Sequence, residues 1–483
     1  MTNIHPEWAI KHRVSGTELR RKGDRYYLYA YKTIYDPVRK KPKKITGKLL
    51  GSITEKEGFK QSSKRKLEEV HVEVKSVSVK EYGNIFLIVE KFYPYIEVLK
   101  TVFPNNWQQI LAIVYCRFVY RCPLKSIPYR LESSYFYDQW PIKPFGQKEA
   151  SGLLNYLGQN LEKLYEYMRS FIQQGSYLLI DGTHIISKSE QIDSVKRGYN
   201  KQRNFDGQFN LMYIYSASQH MPVFYRLLAG NIRDVKGFKN TLALAHIKDA
   251  VIVADKGFYS KVNIQLLVEE GLDFIIPLKR DNMLIEYSKI KDNSLKKQGD
   301  YFKYKDRYIW YVCTEYANGN LHLFLDDSLR LEEEKDFLNR ITTHPDSHTH
   351  ENYLNKMFTF GTIGLFSSKA LTNSRDVYET YKSRMEIENA FDGLKNILNA
   401  DKSYMQNEQT LQGWTFINHI CLQWYHHLYV ELKNQNLLKK ISVNDYISLL
   451  TDIKKLNING QYHLNEFTNQ TKKLLSSLGL NLI

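Results

Sequence analysis

Cysteine is scarce in this chain of 483 residues. Cys116, Cys122, Cys313 and Cys421 are scattered, with no CxxC pair. That argues against a disulfide framework or a cysteine zinc finger and fits free thiols in a reducing cytosol. No run of 18 apolar residues occurs, so no membrane span is expected. The stretch from Met1 to Arg13 lacks the apolar core of a signal peptide. Internal repeats and low-complexity tracts are missing too. Nor is acid in excess: the net charge is +16, which attracts a polyanion, and nucleic acid is the commonest one. What is present is ordinary apolar content, 43%, enough for a sizeable folded core in about three domains. Tyrosine is abundant, at 36 residues. It can stack on bases or bond phosphates, though most of these side chains are expected to be packing.

Texture divides the chain into segments. Residues 1–80 form a basic module in which thirteen Lys or Arg face three acidic residues between Lys11 and Leu50. Tyr27, Tyr29 and Tyr31 alternate with Leu28 and Ala30, the period of a strand. Tyr35-Asp36-Pro37 followed by Arg39-Lys40-Lys41-Pro42-Lys43-Lys44 predicts a hairpin with a basic tip. Its readings are a DNA-contacting element or a solvated hairpin. Residues 81–172 carry helical periodicity punctuated by Pro104, Pro123 and Pro141. Over 173–280 short apolar runs alternate with helical stretches, the pattern of a mixed α/β sheet. A β-rich insertion is expected over 281–357, the α/β texture returns over 358–400, and 401–483 reads as helical. Tyr301–Tyr316 reads as one strand, and Trp414, Phe416, Ile420, Trp424 and Leu428 form an apolar stripe. That stripe suits either a protein interface or intramolecular core.

Three carboxylates stand out. Asp181 and Asp255 each follow an apolar run, Ser176–Ile180 and Ala250–Ala254, with glycine one or two residues on. Strand ends in α/β sheets face the crevice where ligands bind. Either aspartate alone is more simply a turn or cap residue. A predicted helix from Ser374 to Leu398 then carries Tyr381, Arg384, Glu388 and Lys395 at spacings of 3, 4 and 7. At roughly 100° per residue these four lie within about 60° of one another. A solvated face with an i,i+4 Arg384–Glu388 pair is the plainer reading. Brought together, Asp181, Asp255 and Glu388 would repel and raise one another's pKa values, and a divalent cation would relieve this. Carboxylate and water ligands suit Mg²⁺ or Mn²⁺ rather than zinc. Two such ions about 3.5–4 Å apart can activate a nucleophile and stabilise the leaving oxygen of a phosphodiester.

On these residues the chain resembles the insertion-sequence DDE transposases marked by the Y-(2)-R-(3)-E-(6)-K signature. Tyr381, Arg384, Glu388 and Lys395 match that spacing, and Asp181 and Asp255 match the two aspartates. The basic N-terminal hairpin resembles that of one branch of the group. The resemblance implies an RNase H-like catalytic core with a β-rich insertion between the second and third acidic residues. It implies cut-and-paste DNA transposition: cleavage at transposon ends, then attack of the freed 3′-hydroxyl on target DNA. Asp181, Asp255 and Glu388 would be catalytic and hold two Mg²⁺ (or Mn²⁺) ions, while Tyr381, Arg384 and Lys395 would bind transposon-end phosphates. The implied partners are terminal inverted repeats, target DNA and a second copy in a synaptic dimer. The implied location is cytoplasmic, at the nucleoid. An RNase H-like nuclease without strand transfer, and a non-catalytic DNA-binding derivative, are the alternative readings.

Weaker signals remain. Asp392 and, less so, Glu386 rival Glu388. The loop from Lys196 to Arg203 is basic and aromatic, suiting DNA or mere surface. Trp310 suits a stack on a displaced base or plain burial. His184 suits a contact to phosphate or water, or a core position. His344, His348 and His350 have metal-compatible spacing inside a loop-like sequence.

Overall fold

Alternation of Tyr26, Leu28 and Ala30 with Tyr27, Tyr29 and Tyr31 sends one set inward and the other outward, as a strand requires. In the computed structural model, residues 5–36, 40–62, 76–198, 206–232, 234–398, 400 and 402–480 are described. They form two units, Met1–Lys75 and Ser76–Ile483. The first is an antiparallel sheet of β1 (Thr17–Lys22), β2 (Arg25–Asp36), β3 (Lys41–Thr54) and β4 (Gly58–Gln61). Its small core holds Ala9, Leu19, Tyr26, Leu28 and Ile53, with Trp8 and Leu50 packed against it. Beyond Tyr31 the β2–β3 ribbon leaves that core. Lys32 through Tyr35 and Lys41 through Ile45 are all exposed. Residues 37–39, within the expected basic tip, lie outside the described residues, as do Tyr199–Arg203 of the second basic loop.

The second unit is built on an eleven-stranded mixed sheet. Beside it, β5 (Val77–Glu81) belongs to a smaller sheet described below. The core strands are β6 (Ser176–Ser187), β7 (Gly207–Ser216), β8 (Met221–Ala229), β9 (Ala250–Ala254) and β10 (Asp273–Pro277). They lie in the order β8-β7-β6-β9-β10. The β6–β7 and β7–β8 pairs are antiparallel, and β6, β9 and β10 are parallel. Helices α1 (Trp107–Tyr120) and α2 (Gln147–Gln159) precede this sheet, and α3 (Asp234–Ala245) and α4 (Lys261–Glu269) connect its strands.

The β-rich stretch does not make a sheet of its own. β11 (Asp300–Tyr304), β12 (Arg307–Tyr316) and β13 (Gly319–Asp326) form a meander, and β14 (Thr362–Ser367) pairs with both β13 and β10. The inner faces of β10 and β14 are buried almost throughout, so each strand needs a neighbour on both edges. Helix α5 (Asp327–Thr343) follows β13.

Several local expectations change. Asp181 is not at a strand end: β6 continues to Ser187 because Asp181 to Ile186 pair with Tyr213 to Gln208 of β7. Tyr301–Tyr316 is two strands, hinged where Lys305 adopts a left-handed φ of 54°. The expected long helix is α6 (Ser374–Lys382), a two-residue turn, α7 (Met385–Asp392) and a π-helical turn, Gly393–Ile397. After α8 (Glu408–Asn434) the C-terminal part is not wholly helical. β15 (Lys454–Ile458) pairs with β5 and with β16 (Gln461–Leu464). The apolar stripe on α8 belongs to the interior: Phe416, Ile420, Trp424 and Leu428 are fully buried, and Trp424 stacks on Phe92 at 4.3 Å. None of the described helices is long and apolar enough to cross a membrane.

Candidate active site

Helix α7 is oriented by what it buries. Ile387, Ala390 and Leu394, spaced by three and four, are at most 2% exposed. This stripe faces the core, so Glu388, about 100° round the helix from it, and Arg384, just before the helix, point away from that stripe. Gly393 permits the approach of α8 at the π-helical turn: a Cβ there would meet Leu422 Cδ1 and Tyr425 Cε1 at 3.3 Å. π-helical turns concentrate at functional sites. Here the turn carries Lys395, which lines the same cavity as Glu388 even though the ideal-helix spacing is interrupted.

The two aspartates come from neighbouring parallel strands. Asp181 sits within β6 and Asp255 directly follows β9, whose Ala254 lies opposite Ile180. Both carboxylates and that of Glu388 meet at one guanidinium. Arg384 Nη1 lies 3.2 Å from Asp181 Oδ2 and 3.6 Å from Asp255 Oδ1, and Nη2 donates to Glu388 Oε1 at 2.7 Å. The Arg384 side chain is 17% exposed, against 52% for Glu388. Burial opposes its charge, yet Asp255, Tyr381, Asp181 and Glu388 together hold its pKa above the ordinary arginine value. Three acidic side chains thus face one guanidinium, with Lys395 on the wall of the same cavity.

This group opens into a cavity of about 470 Å³, whose wall includes Asp181, Asp255, Arg384, Glu388, Lys395 and His184. Asp255 and Arg384 also line a second cavity of about 580 Å³, with Tyr381, Lys256, Lys279 and Lys382. The six residues singled out by the sequence therefore all line these two spaces. Burial raises the Tyr381 pKa against the opposing pull of Arg384, and Asp255 adds to the rise, so the phenol stays protonated as a donor. The rivals face elsewhere. Glu386 pairs with His220 at 2.9 Å, and Asp392 accepts from Asn396 Nδ2 at 2.5 Å.

Among the described residues no group of three His, Cys, Asp or Glu is already set to hold a metal ion, and the three carboxylates instead share the Arg384 guanidinium. The same holds for the histidine-rich loop. His344 and His348 contact Thr343 and Ser347, and His350 stacks on Tyr353. Trp310 is half-buried against Tyr301, 5.0 Å away, in the β11–β12 hairpin. Sequence reasoning passed over the cations of the second cavity. Lys256 and Lys382 directly follow Asp255 and Tyr381, and Lys279 follows β10 at its carboxyl end, a place where ligands gather.

Residues 173–424, just over half of the chain, match the family model described as "Transposase DDE domain". No curated protein matches the sequence. Among solved structures, the chain is similar to the piggyBac transposase synaptic complex with hairpin DNA. That similarity has 9% identity and a TM-score of 0.40, over 77% of this chain and 79% of that one. A fainter similarity is to the Mos1 transposase paired-end complex with left transposon end, with 13% identity and a TM-score of 0.16, over 32% of this chain and 54% of that one. A match over more than half of the chain shows the family: the chain belongs to the DDE-domain transposases.

Proposed function

We propose that this protein is a metal-dependent cut-and-paste transposase that cleaves at transposon ends and joins the freed 3′-hydroxyl to target DNA. The observation carrying the reading is the convergence of Asp181, Asp255 and Glu388 on one cationic group, each within 3.6 Å of Arg384. Carboxylates from three separated stretches of chain, gathered beside a cavity, are costly unless a cation belongs among them. The donors are carboxylate oxygens without thiolates, which fits Mg²⁺ or Mn²⁺. Asp181, Asp255 and Glu388 would hold the ions, two by the chemistry of phosphodiester exchange. When bound, such ions supply an activated nucleophile and stabilise the leaving oxygen.

Around that centre the chain's own groups bind DNA. Lys395 and Arg384 attract end phosphates, Tyr381 donates its hydroxyl, and the lysines of the second cavity extend the positive track. The strand order β8-β7-β6-β9-β10, with one aspartate on β6 and another just after β9, supports reading 173–280 and 358–400 as an RNase H-like core with 281–357 inserted into it. In the N-terminal module, expected over 1–80 but ending as a unit at Lys75, the exposed β2–β3 ribbon suits DNA contact, since the major groove admits a two-stranded ribbon. The helical segment 81–172 and the C-terminal region 401–483 support the core. Two copies, one per inverted repeat, would synapse the ends in the cytoplasm at the nucleoid.

The test is cleavage of duplexes carrying the inverted repeats that flank the encoding gene. Asp181→Ala, Asp255→Ala and Glu388→Ala should each abolish cleavage while leaving DNA binding intact. Normal cleavage by Glu388→Gln would refute the assignment. Joining of a pre-cut end to target DNA separates a transposase from a simple nuclease.

A further inference from the structure

Arg384 is bound in a way that a simple phosphate clamp does not need. Its two terminal nitrogens are engaged by Asp181, Asp255 and Glu388 at once, and its side chain is largely enclosed. It is the second residue of the two-residue turn between α6 and α7 and lines both cavities. We propose that Arg384 is an internal counter-cation: it occupies the carboxylate cluster in the DNA-free chain and competes with divalent metal for the same oxygens. The proposal rests on reading those three carboxylates as the ion-holding groups.

The physical case has three parts. First, the carboxylates cannot all stay ionised at close range without positive charge among them, and the guanidinium supplies one unit where a divalent ion would supply two. Second, an oxygen accepting from Arg384 at 2.7–3.2 Å has part of its lone-pair capacity used, and an ion drawing on the same oxygens competes with that bond and is repelled by the guanidinium charge. Third, an alternative anion has a place to sit. The second cavity brings Lys256, Lys279 and Lys382 beside Arg384, and a DNA phosphate held there offers the guanidinium a bidentate partner. Withdrawal of Arg384 toward that phosphate frees the carboxylates. By linkage, DNA then raises metal affinity, and metal raises DNA affinity by the same factor. The consequence is a nuclease centre that loads poorly without its substrate.

The experiment titrates Mn²⁺ alone into the full chain by calorimetry, for wild type, Arg384→Gln, Arg384→Lys and Asp181→Asn. A melt in chelator accompanies each titration. Arg384→Gln should bind Mn²⁺ about tenfold more tightly than wild type, the equivalent of one charge-assisted hydrogen bond. It should also melt lower in chelator and gain more from added Mn²⁺. Arg384→Lys, which keeps the charge without the fork, should fall between. If Arg384→Gln does not fold, Arg384→Lys decides by the same comparison. Added short duplex DNA of arbitrary sequence should tighten Mn²⁺ binding by wild type but not by Arg384→Gln. Unchanged or weaker Mn²⁺ binding in the Arg384 variants, with binding lost in Asp181→Asn, overturns the counter-cation role and leaves the metal site standing. Wild-type Mn²⁺ binding by Asp181→Asn overturns the metal-site reading beneath it.

Discussion

The two units solve mirror-image charge problems. At the candidate active site one cation, Arg384, gathers three carboxylates. On the outer face of the N-terminal sheet one carboxylate, Glu18, gathers cations. Lys44 Nζ and Arg20 Nη2 each lie 2.7 Å from it, and Thr46 Oγ1 donates at 2.8 Å. Lys44 also lies over the Tyr31 ring at 3.9 Å, and Arg20 over Tyr29 at 5.3 Å. In each case one residue of the minority charge holds like charges together; on the proposed function, a divalent cation would join the first cluster and DNA the second. The difference is enclosure. Arg384 is 17% exposed, whereas Arg20 and Lys44 are 56% and 43% exposed. Water and salt screen the open cluster far more, so changes there should be small.

The comparison can be broken at four points. Loss of an enclosed carboxylate should do most. Asp181→Ala or Asp255→Ala should lower end cleavage by more than the roughly 10–100-fold that outer-shell metal-site changes cost, with gel-shift affinity retained. Acid comes next. Burial holds His419 and His426, inside the second unit, down at about 3, so both are neutral when folded and take up protons on unfolding. Stability of that unit should therefore fall as pH drops from about 6.5 toward 3, by up to about 1.4 kcal/mol per pH unit for each histidine. Glu18 runs differently. Its bonds to Lys44, Thr46 and Arg20 bring it down to about 2, so its contribution is present above 4.5 and is lost only as pH falls toward 2. Hydrogen exchange followed with pH should show the second unit opening before the N-terminal sheet.

Salt separates the clusters more finely. Lys395→Ala should weaken binding of end DNA and reduce the slope of log K against log salt by about 0.9, one phosphate contact. Glu18→Gln is the smallest change. Removing its negative charge should strengthen DNA binding a few-fold at low salt, and the gain should vanish at high salt. Weaker binding instead would show that Glu18 matters by positioning Arg20 and Lys44.

Much of the site was legible because its signals are local and stiff. Apolar runs reported β9 and the first half of β6, and helical spacing reported the shared direction of Arg384 and Glu388. Two features were not readable. Asp181 lies mid-strand because β7 supplies hydrogen bonds past it, a pairing between residues some thirty apart in sequence. Glu388 is a local i,i+4 partner of Arg384, but Asp181 on β6 and Asp255 just after β9 reach it only through the tertiary fold, which no local pattern encodes. The apolar stripe of α8 is equally ambiguous in one dimension, since a core face and an interface have the same composition.

The central claim is that Asp181, Asp255 and Glu388 form one cation site, and iron-promoted cleavage of the backbone tests it most directly. Fe²⁺ substituted at the site, with ascorbate and peroxide, generates hydroxyl radicals that cut nearby chain. The account predicts cuts near all three positions together, suppressed by excess Mg²⁺ and lost in Asp181→Asn. Cutting near one carboxylate only, or at sites unaffected by Mg²⁺, would contradict it.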